Sequence, residues 1–138
     1  RDTDRSRGLG DVYKRQLKNL CRKVEQEKGL PETFTASVLK REELTPTDYG
    51  NLVALPHPER AFQERAFVAV AVLKEPIFWF RQKVQVVFLT AIGREEDENL
   101  QQFYEATTDL ILRPADVQNL IRHPDYDRLI QLLRRAEE

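Results

Sequence analysis

Hydrophobic residues near the start of the chain recur with the period of an α-helix. Leu17, Leu20, Cys21 and Val24 fall at i, i+3, i+4 and i+7, which predicts an amphipathic helix that ends at Gly29. Because Cys21 lies on the apolar stripe, we expect it to be a buried small hydrophobe and not a nucleophile.

A second helix is predicted from Pro31, a good first residue of a helix, to about Glu43, with Phe34 and Val38 on its inner face. Residues typical of turns then indicate a polar loop. They are Pro46, Asp48, Gly50 and Asn51.

Three apolar segments follow, with the character of β-strands. They are Leu52–Leu55, Ala66–Leu73 and Val84–Ile92. Continuous apolar runs are typical of strands that are buried on both faces, so helices are expected on both sides of the sheet, with the last two segments as neighbours. The aromatic stretch Glu75–Gln82 between them is predicted to be a connection, in which Trp79 packs against the sheet instead of stacking on a ligand.

The last third of the chain is predicted to be helical. One helix face runs from Leu100 to Ile111, and Pro114 and Pro124 each open a further short helix. Helices, then strands, then helices predict an α/β fold, a three-layer α/β/α domain with a small mixed sheet buried between the helices.

Composition narrows the possible functions. The 138 residues are enough for one compact domain, and no apolar run reaches the length of about 18 residues that a membrane helix needs. The 22 basic and 23 acidic residues give no nucleic-acid footprint, and one cysteine and two histidines make no recognisable metal site. A single cysteine fits a reducing compartment, so we expect a soluble cytoplasmic domain without a cofactor.

Residues 1–16 have a different character from the rest. They lack apolar periodicity, and the run DVYKRQ (Asp11–Gln16) is the translation of an end sequence that transposase-based library kits attach to DNA. SRGLG upstream matches the adapter that precedes it. We therefore expect residues 1–16 to be a non-native segment, with residues 1 to about 14 making no packing contacts. Residues 17–138 would be the domain, truncated at its N-terminus.

The segment REELTPTDYGNLVALPHP (Arg41–Pro58) is the candidate for chemistry. A short apolar strand delivers His57 to a loop, where Pro56 precedes it and Pro58 follows it. The following proline disfavours helical backbone at His57, and two prolines restrict the loop. These residues alone predict a well-positioned histidine at a strand end, a position that surface histidines also occupy, and no Gly-rich phosphate loop is present.

This segment resembles the active-site signature of the fructose/mannitol-type (type-2) IIA domains of the bacterial phosphoenolpyruvate-dependent sugar phosphotransferase system (PTS). The family pattern RE…(S/T/P)T…(G/A)xAxPH ends in a phosphorylated histidine. The similarity continues through AFVAVAVLKEPIFW and VQVVFLTAI into the helix near Asn99. The resemblance implies that His57 accepts a phosphoryl group on Nε2 from the phosphocarrier protein HPr and passes it to a cysteine of a IIB domain. It also implies that Arg41 offsets phosphate charge and that Thr47 donates its hydroxyl or caps the turn.

One position departs from the family. Many transporter-type members have a second histidine where this chain has Asn99. We expect His123 to be a surface residue that does not replace this second histidine. With Asn99 and the sequence TDYGNLVALPHP, the chain resembles the IIA-like domains of BglG/LicR-type antiterminators and regulators that contain PTS-regulated domains. The favoured interpretation is the sensory module of such a regulator. A IIA subunit of a sugar permease, which would bring peripheral membrane association, and a degenerate binding domain without phosphorylation stay open.

Overall fold

A computed structural model describes residues 2–135, with side chains from Val12 to Arg135. The helices are α1 (Asp2–Lys28), α2 (Thr33–Leu44), α3 (Glu98–Ile111), α4 (Pro114–Arg122) and α5 (Tyr126–Arg135). The strands are β1 (Asp48–Gly50), β2 (Leu52–Ala54), β3 (Phe67–Phe78) and β4 (Lys83–Ala91). The end of α1 is the predicted one: Gly29 has φ +67°, and the Leu30 N–H donates to the Glu25 carbonyl at 2.9 Å, a Schellman-type closure. No helix within the described part has the length and apolar character that crossing a membrane requires.

The sheet is small and mixed, as predicted. Its strand order is β1-β2-β4-β3, with β2 parallel to β4 and the other two pairs antiparallel. The predicted neighbours β3 and β4 pair from Phe67↔Ala91 to Phe78↔Lys83. The parallel β2–β4 pair sets the position of the candidate histidine, because the chain leaves the sheet at the end of β2 and reaches His57 three residues later.

The core lies on both faces of β4, whose residues after Lys83 are all buried. Val87 and Leu89 pack with α1 and α2, whereas Val86 and Phe88 pack with α3, α4 and α5. Since neither face of this strand reaches solvent, the domain has the predicted three layers of helices, sheet and helices.

Three expectations about the strands are wrong. The loop predicted around Pro46–Asn51 contains β1, and the connection predicted from Glu75 begins as strand, because β3 runs on to Phe78 across a register shift between Val72 and Ile77. In addition, β3 is the edge strand and is only partly buried, so its apolar run does not reflect burial on both faces.

The first helix corrects a further expectation. The side chain of Tyr13 is buried, and its ring stacks on Trp79 with the centroids 4.8 Å apart. The expectation that residues up to about 14 make no packing contacts is therefore wrong at Tyr13, while the side chains of residues 1–11 lie outside the described part. The adapter origin of residues 1–16 stays a prediction.

Candidate functional site

His57 occupies a half-buried position in the loop that follows β2. Its Nδ1 lies 3.1 Å from the Leu55 carbonyl oxygen. A carbonyl oxygen can only accept, so Nδ1 must carry the proton of this hydrogen bond, and in the neutral ring Nε2 is left with a free lone pair. The geometry thus selects the tautomer that a nucleophilic Nε2 requires.

Hydrogen bonds hold the backbone on both sides of His57. The Pro56 carbonyl accepts from the Thr90 N–H of β4 at 3.0 Å, which continues the parallel β2–β4 pairing beyond the end of β2. After the histidine, the Glu59 N–H donates to the Ser37 hydroxyl of α2 at 2.7 Å. The imidazole is therefore carried by a loop that is fixed to the sheet on one side and to a helix on the other.

A buried carboxylate fixes the turn before β1. The side chain of Glu42 is 2% exposed and accepts from the Thr47 N–H at 2.8 Å, the Thr47 hydroxyl at 2.9 Å and the Trp79 indole N–H at 2.6 Å. Trp79 is buried and packs as predicted. The sequence reasoning missed Glu42, although the R-E pair of the motif contained the signal, because only the arginine of that pair was assigned a role.

Arg41 and Thr47 have other partners than the imidazole. The Arg41 Nη1 donates to the Thr45 carbonyl at 2.8 Å, just beyond the end of α2, and the Thr47 hydroxyl donates to Glu42. Among the hydrogen bonds and ion pairs of residues 12–135, none joins Arg41 or Thr47 to the His57 ring.

The remaining candidate residues lie elsewhere. Asn99 is exposed near the start of α3, and its N–H donates to Asp97 at 2.9 Å. His123 is exposed at the end of α4, as predicted. Cys21 is fully buried, and this burial, with Glu25 nearby, raises the pKa of its thiol to about 12, so it is not a thiolate at neutral pH.

The arrangement suits group transfer through nitrogen. It offers a neutral imidazole with one ring nitrogen oriented by a backbone carbonyl, on a restrained loop, and an arginine bonded to the turn that leads toward it.

Residues 13–136 match the family model described as "Phosphoenolpyruvate-dependent sugar phosphotransferase system, EIIA 2". The chain belongs to this family. The resemblance predicted from the motif around His57 is confirmed, and the matched range begins inside the segment 1–16.

The EIIA 2 domain has relatives among bacterial regulators. It is 38% identical over 98 residues to the probable licABCH operon regulator of Bacillus subtilis and 32% identical over 97 residues to the transcriptional regulator ManR of the same organism. These alignments cover 71% and 70% of this chain but 15% of each regulator. The chain thus corresponds to a small part of the curated relatives that it matches.

Solved structures share the fold of this EIIA 2 domain. The nitrogen regulatory protein IIA-Ntr from Neisseria meningitidis aligns with a TM-score of 0.73 at 20% identity, over 87% of this chain and 85% of that one. The mannitol IIA of Escherichia coli, solved in complex with phosphorylated mannitol IIB, aligns with a TM-score of 0.65 at 16% identity, over 87% and 85% of the two chains. At these identities the likeness concerns the fold, and it confirms the predicted α/β class.

Proposed function

We propose that this EIIA 2 domain carries a phosphoryl group on Nε2 of His57. The observation that carries the proposal is the hydrogen bond from Nδ1 to the Leu55 carbonyl, because it leaves Nε2 as the unprotonated nitrogen of the neutral ring. In the transfer, the lone pair of Nε2 forms an N–P bond to the phosphoryl group. The N–P bond in the phosphorylated donor protein breaks at the same time, and the electron pair of that bond stays on the donor's nitrogen. No proton needs to move in that step.

The donor in this proposal is the phosphorylated form of HPr, and the acceptor is a cysteine of a IIB domain. Membership of the EIIA 2 family supports the placement between these two partners, and a mannitol IIA of the same fold has been solved with a phosphorylated IIB. The sugar is not encoded here, because a domain in this position handles phosphoryl groups and not the carbohydrate.

Arg41 and Thr47 take different parts in the proposal. A phosphorylated imidazole brings negative charge that cationic donors offset, and the Arg41 guanidinium has further N–H groups beside the one that donates to Thr45. Thr47 holds the turn, because its hydroxyl donates to Glu42; a direct bond to phosphate requires this hydroxyl to turn away from the carboxylate.

We further propose that the domain is the sensory IIA module of a transcriptional regulator with PTS-regulated domains, acting in the cytoplasm. The support is its similarity to the probable licABCH operon regulator and to the transcriptional regulator ManR, together with Asn99 at the position of the transporters' second histidine. A IIA subunit of a sugar permease is the second candidate. The gene sequence upstream discriminates the two, since a regulator has DNA-binding and regulatory domains there and a free subunit has a nearby start codon.

The first prediction tests the phosphocarrier proposal directly. Incubated with phosphoenolpyruvate, enzyme I and HPr, the domain should gain one acid-labile phosphoryl group, which mass spectrometry of the intact protein at neutral or alkaline pH detects. His57→Ala should abolish labelling, and His123→Ala should leave it intact. Arg41→Ala should slow labelling about tenfold or more without unfolding the domain, because its work is on phosphate charge.

An established IIA domain labelled in parallel is the control for active reagents. A folded wild-type chain that takes no label beside a labelled control would contradict the proposal and favour the degenerate binding domain. Labelling that persists in His57→Ala would place the phosphoryl group on another residue.

A further inference from the structure

The carboxylate of Glu42 is almost fully buried between α2, the following turn and Trp79. A buried carboxylate loses its hydration and is tolerated only when donors replace the lost water. Glu42 has three: the N–H and hydroxyl of Thr47 and the indole N–H of Trp79. The two Thr47 bonds fix the turn between α2 and β1, and the Trp79 bond holds the carboxylate itself in place, which makes Glu42 the anchor of that turn.

The anchored turn is bonded directly to the residue that orients the imidazole. The Thr47 carbonyl accepts from the Leu55 N–H at 3.0 Å, and the Leu55 carbonyl accepts from His57 Nδ1 at 3.1 Å. Glu42 therefore reaches the His57 ring through an unbroken series of contacts that passes through Thr47 and Leu55. Along this series, each group restrains the next one from the side of the turn.

The opposite side of the same segment is held independently. The Pro56 carbonyl accepts from Thr90, which belongs to the central strand β4. Loss of the Glu42 anchor leaves this sheet-side bond in place and releases the other side, where β1 is only three residues long. The expected result is a Leu55 carbonyl that is still near His57 but no longer aimed at Nδ1, and not a collapse of the sheet.

We propose that Glu42 is a positioning residue that selects the Nδ1–H tautomer of His57 by anchoring Thr47 and, through it, the Leu55 carbonyl. Its effect on phosphoryl transfer rests on the proposed function of His57, whereas its effect on the tautomer does not. The R-E pair of the motif then holds two separate roles, a phosphate-side cation and a buried anchor.

A second buried carboxylate provides a matched control. Glu25 of α1 is 6% exposed and accepts from the N–H of Thr35 at 2.9 Å and from the hydroxyl of the same threonine. It thus repeats the bonding of Glu42 to Thr47. Its partner lies in the first turn of α2, and none of its hydrogen bonds leads to Leu55 or His57. A merely structural role for Glu42 predicts the same consequences for both carboxylates.

The experiment compares Glu42→Gln and Glu25→Gln in the 138-residue chain. Nitrogen-15 chemical shifts of the His57 ring are read in mildly alkaline buffer, since they distinguish Nδ1–H from Nε2–H in the neutral ring. Wild type and Glu25→Gln should show the Nδ1–H form, and Glu42→Gln should show a substantial share of Nε2–H. At saturating phosphorylated HPr, the labelling rate of folded Glu42→Gln should fall about tenfold or more, with the half-saturating HPr concentration unchanged.

A conservative pair covers the case in which Glu42→Gln does not fold. Thr47→Val keeps the N–H bond to Glu42 and loses the hydroxyl bond, so the share of Nε2–H should rise, while Thr47→Ser should restore the wild-type tautomer. A wild-type tautomer in Glu42→Gln, or in Thr47→Val if the first variant is unfolded, would overturn the proposal. Equal loss of labelling rate in the Glu42 and Glu25 variants would overturn it too. A wild-type chain that takes no label refutes only the proposed function, because the tautomer comparison needs no phosphoryl transfer.

Discussion

Cys21 shows how burial at a single residue couples the fold to pH. Its thiol is fully buried in the core between α1 and the sheet, and burial raises its pKa to about 12. Burial also raises the pKa of the Tyr13 hydroxyl, with the nearby Glu42 as the next cause. Both groups therefore resist ionisation in the folded chain and ionise more readily once it unfolds.

The second prediction follows from that difference. Above about pH 9 the unfolded chain releases the Cys21 proton while the folded chain keeps it, so the free energy of unfolding should fall as the pH rises toward 12. The slope from this group is at most about 1.4 kcal/mol per pH unit. Urea unfolding between about pH 8 and 10.5 measures it, and Cys21→Ala should show a shallower slope. An unchanged slope in that variant would show that the thiol is not protected.

Individual side chains were predictable from the sequence where their role is apolar. The periodicity that placed Cys21 on a buried stripe is a direct consequence of helix geometry. Glu42 and Tyr13 were not, because a buried carboxylate and a buried phenol depend on partners distant along the chain. Trp79, which contacts both, lies 37 positions from Glu42. The local pattern of apolar and polar residues carries no information about a contact between residues so far apart along the chain.

At the scale of elements, the turn between β1 and β2 explains why β1 was predicted to be a loop. Asn51 and Leu52 have φ +50° and +68°, and they join Gly50 to Val53, as in a type I′ hairpin. Such turns favour glycine at the second central position, and leucine there hides the signal. The overestimated burial of β3 has a different cause: an apolar run does not distinguish a central strand from an edge strand, and only the pairing order does.

Two loops near the end of β4 are packed against each other through a glycine. A Cβ on Gly93 would lie 2.4 Å from the Glu64 carbonyl oxygen and 2.6 Å from the Ala66 nitrogen. The N–H groups of Arg94 and Glu95 donate to the carbonyls of Gln63 and Glu64, each at 3.0 Å. A side chain at position 93 thus pushes apart backbone that these bonds hold together.

The third prediction is that Gly93→Ala destabilises the domain by about 1–3 kcal/mol or more, because backbone atoms must move. Gly29→Ala is the control. Gly29 has φ +67° but no atom within 4 Å of the place that an alanine methyl group would occupy, so only the left-handed backbone opposes alanine, at about 1–2 kcal/mol. Chemical denaturation measures both. If Gly93→Ala cost less than Gly29→Ala, the close approach of the two loops would be wrong.

On the scale of the whole molecule, one strand joins the two halves of the core. The core residues that pack with α1 and α2 and those that pack with α3 to α5 contact opposite faces of β4. Both groups of helices therefore depend on the same central strand, each on its own face of it. Shared burial of this kind predicts that the domain unfolds in one cooperative transition.

The last prediction tests this cooperativity with a substitution on one face of the sheet and a fluorescent probe on the other face. Leu110 of α3 is 1% exposed and belongs to the core cluster on one face of the sheet, whereas Trp79, the only tryptophan, belongs to the cluster on the other. Leu110→Ala should cost about 2–5 kcal/mol from the lost burial and the cavity. Because β4 is common to both faces, the Trp79 fluorescence transition should shift by the same free energy as the far-ultraviolet circular dichroism transition. A tryptophan transition that stays in place while the dichroism transition moves would mean that the two faces unfold separately.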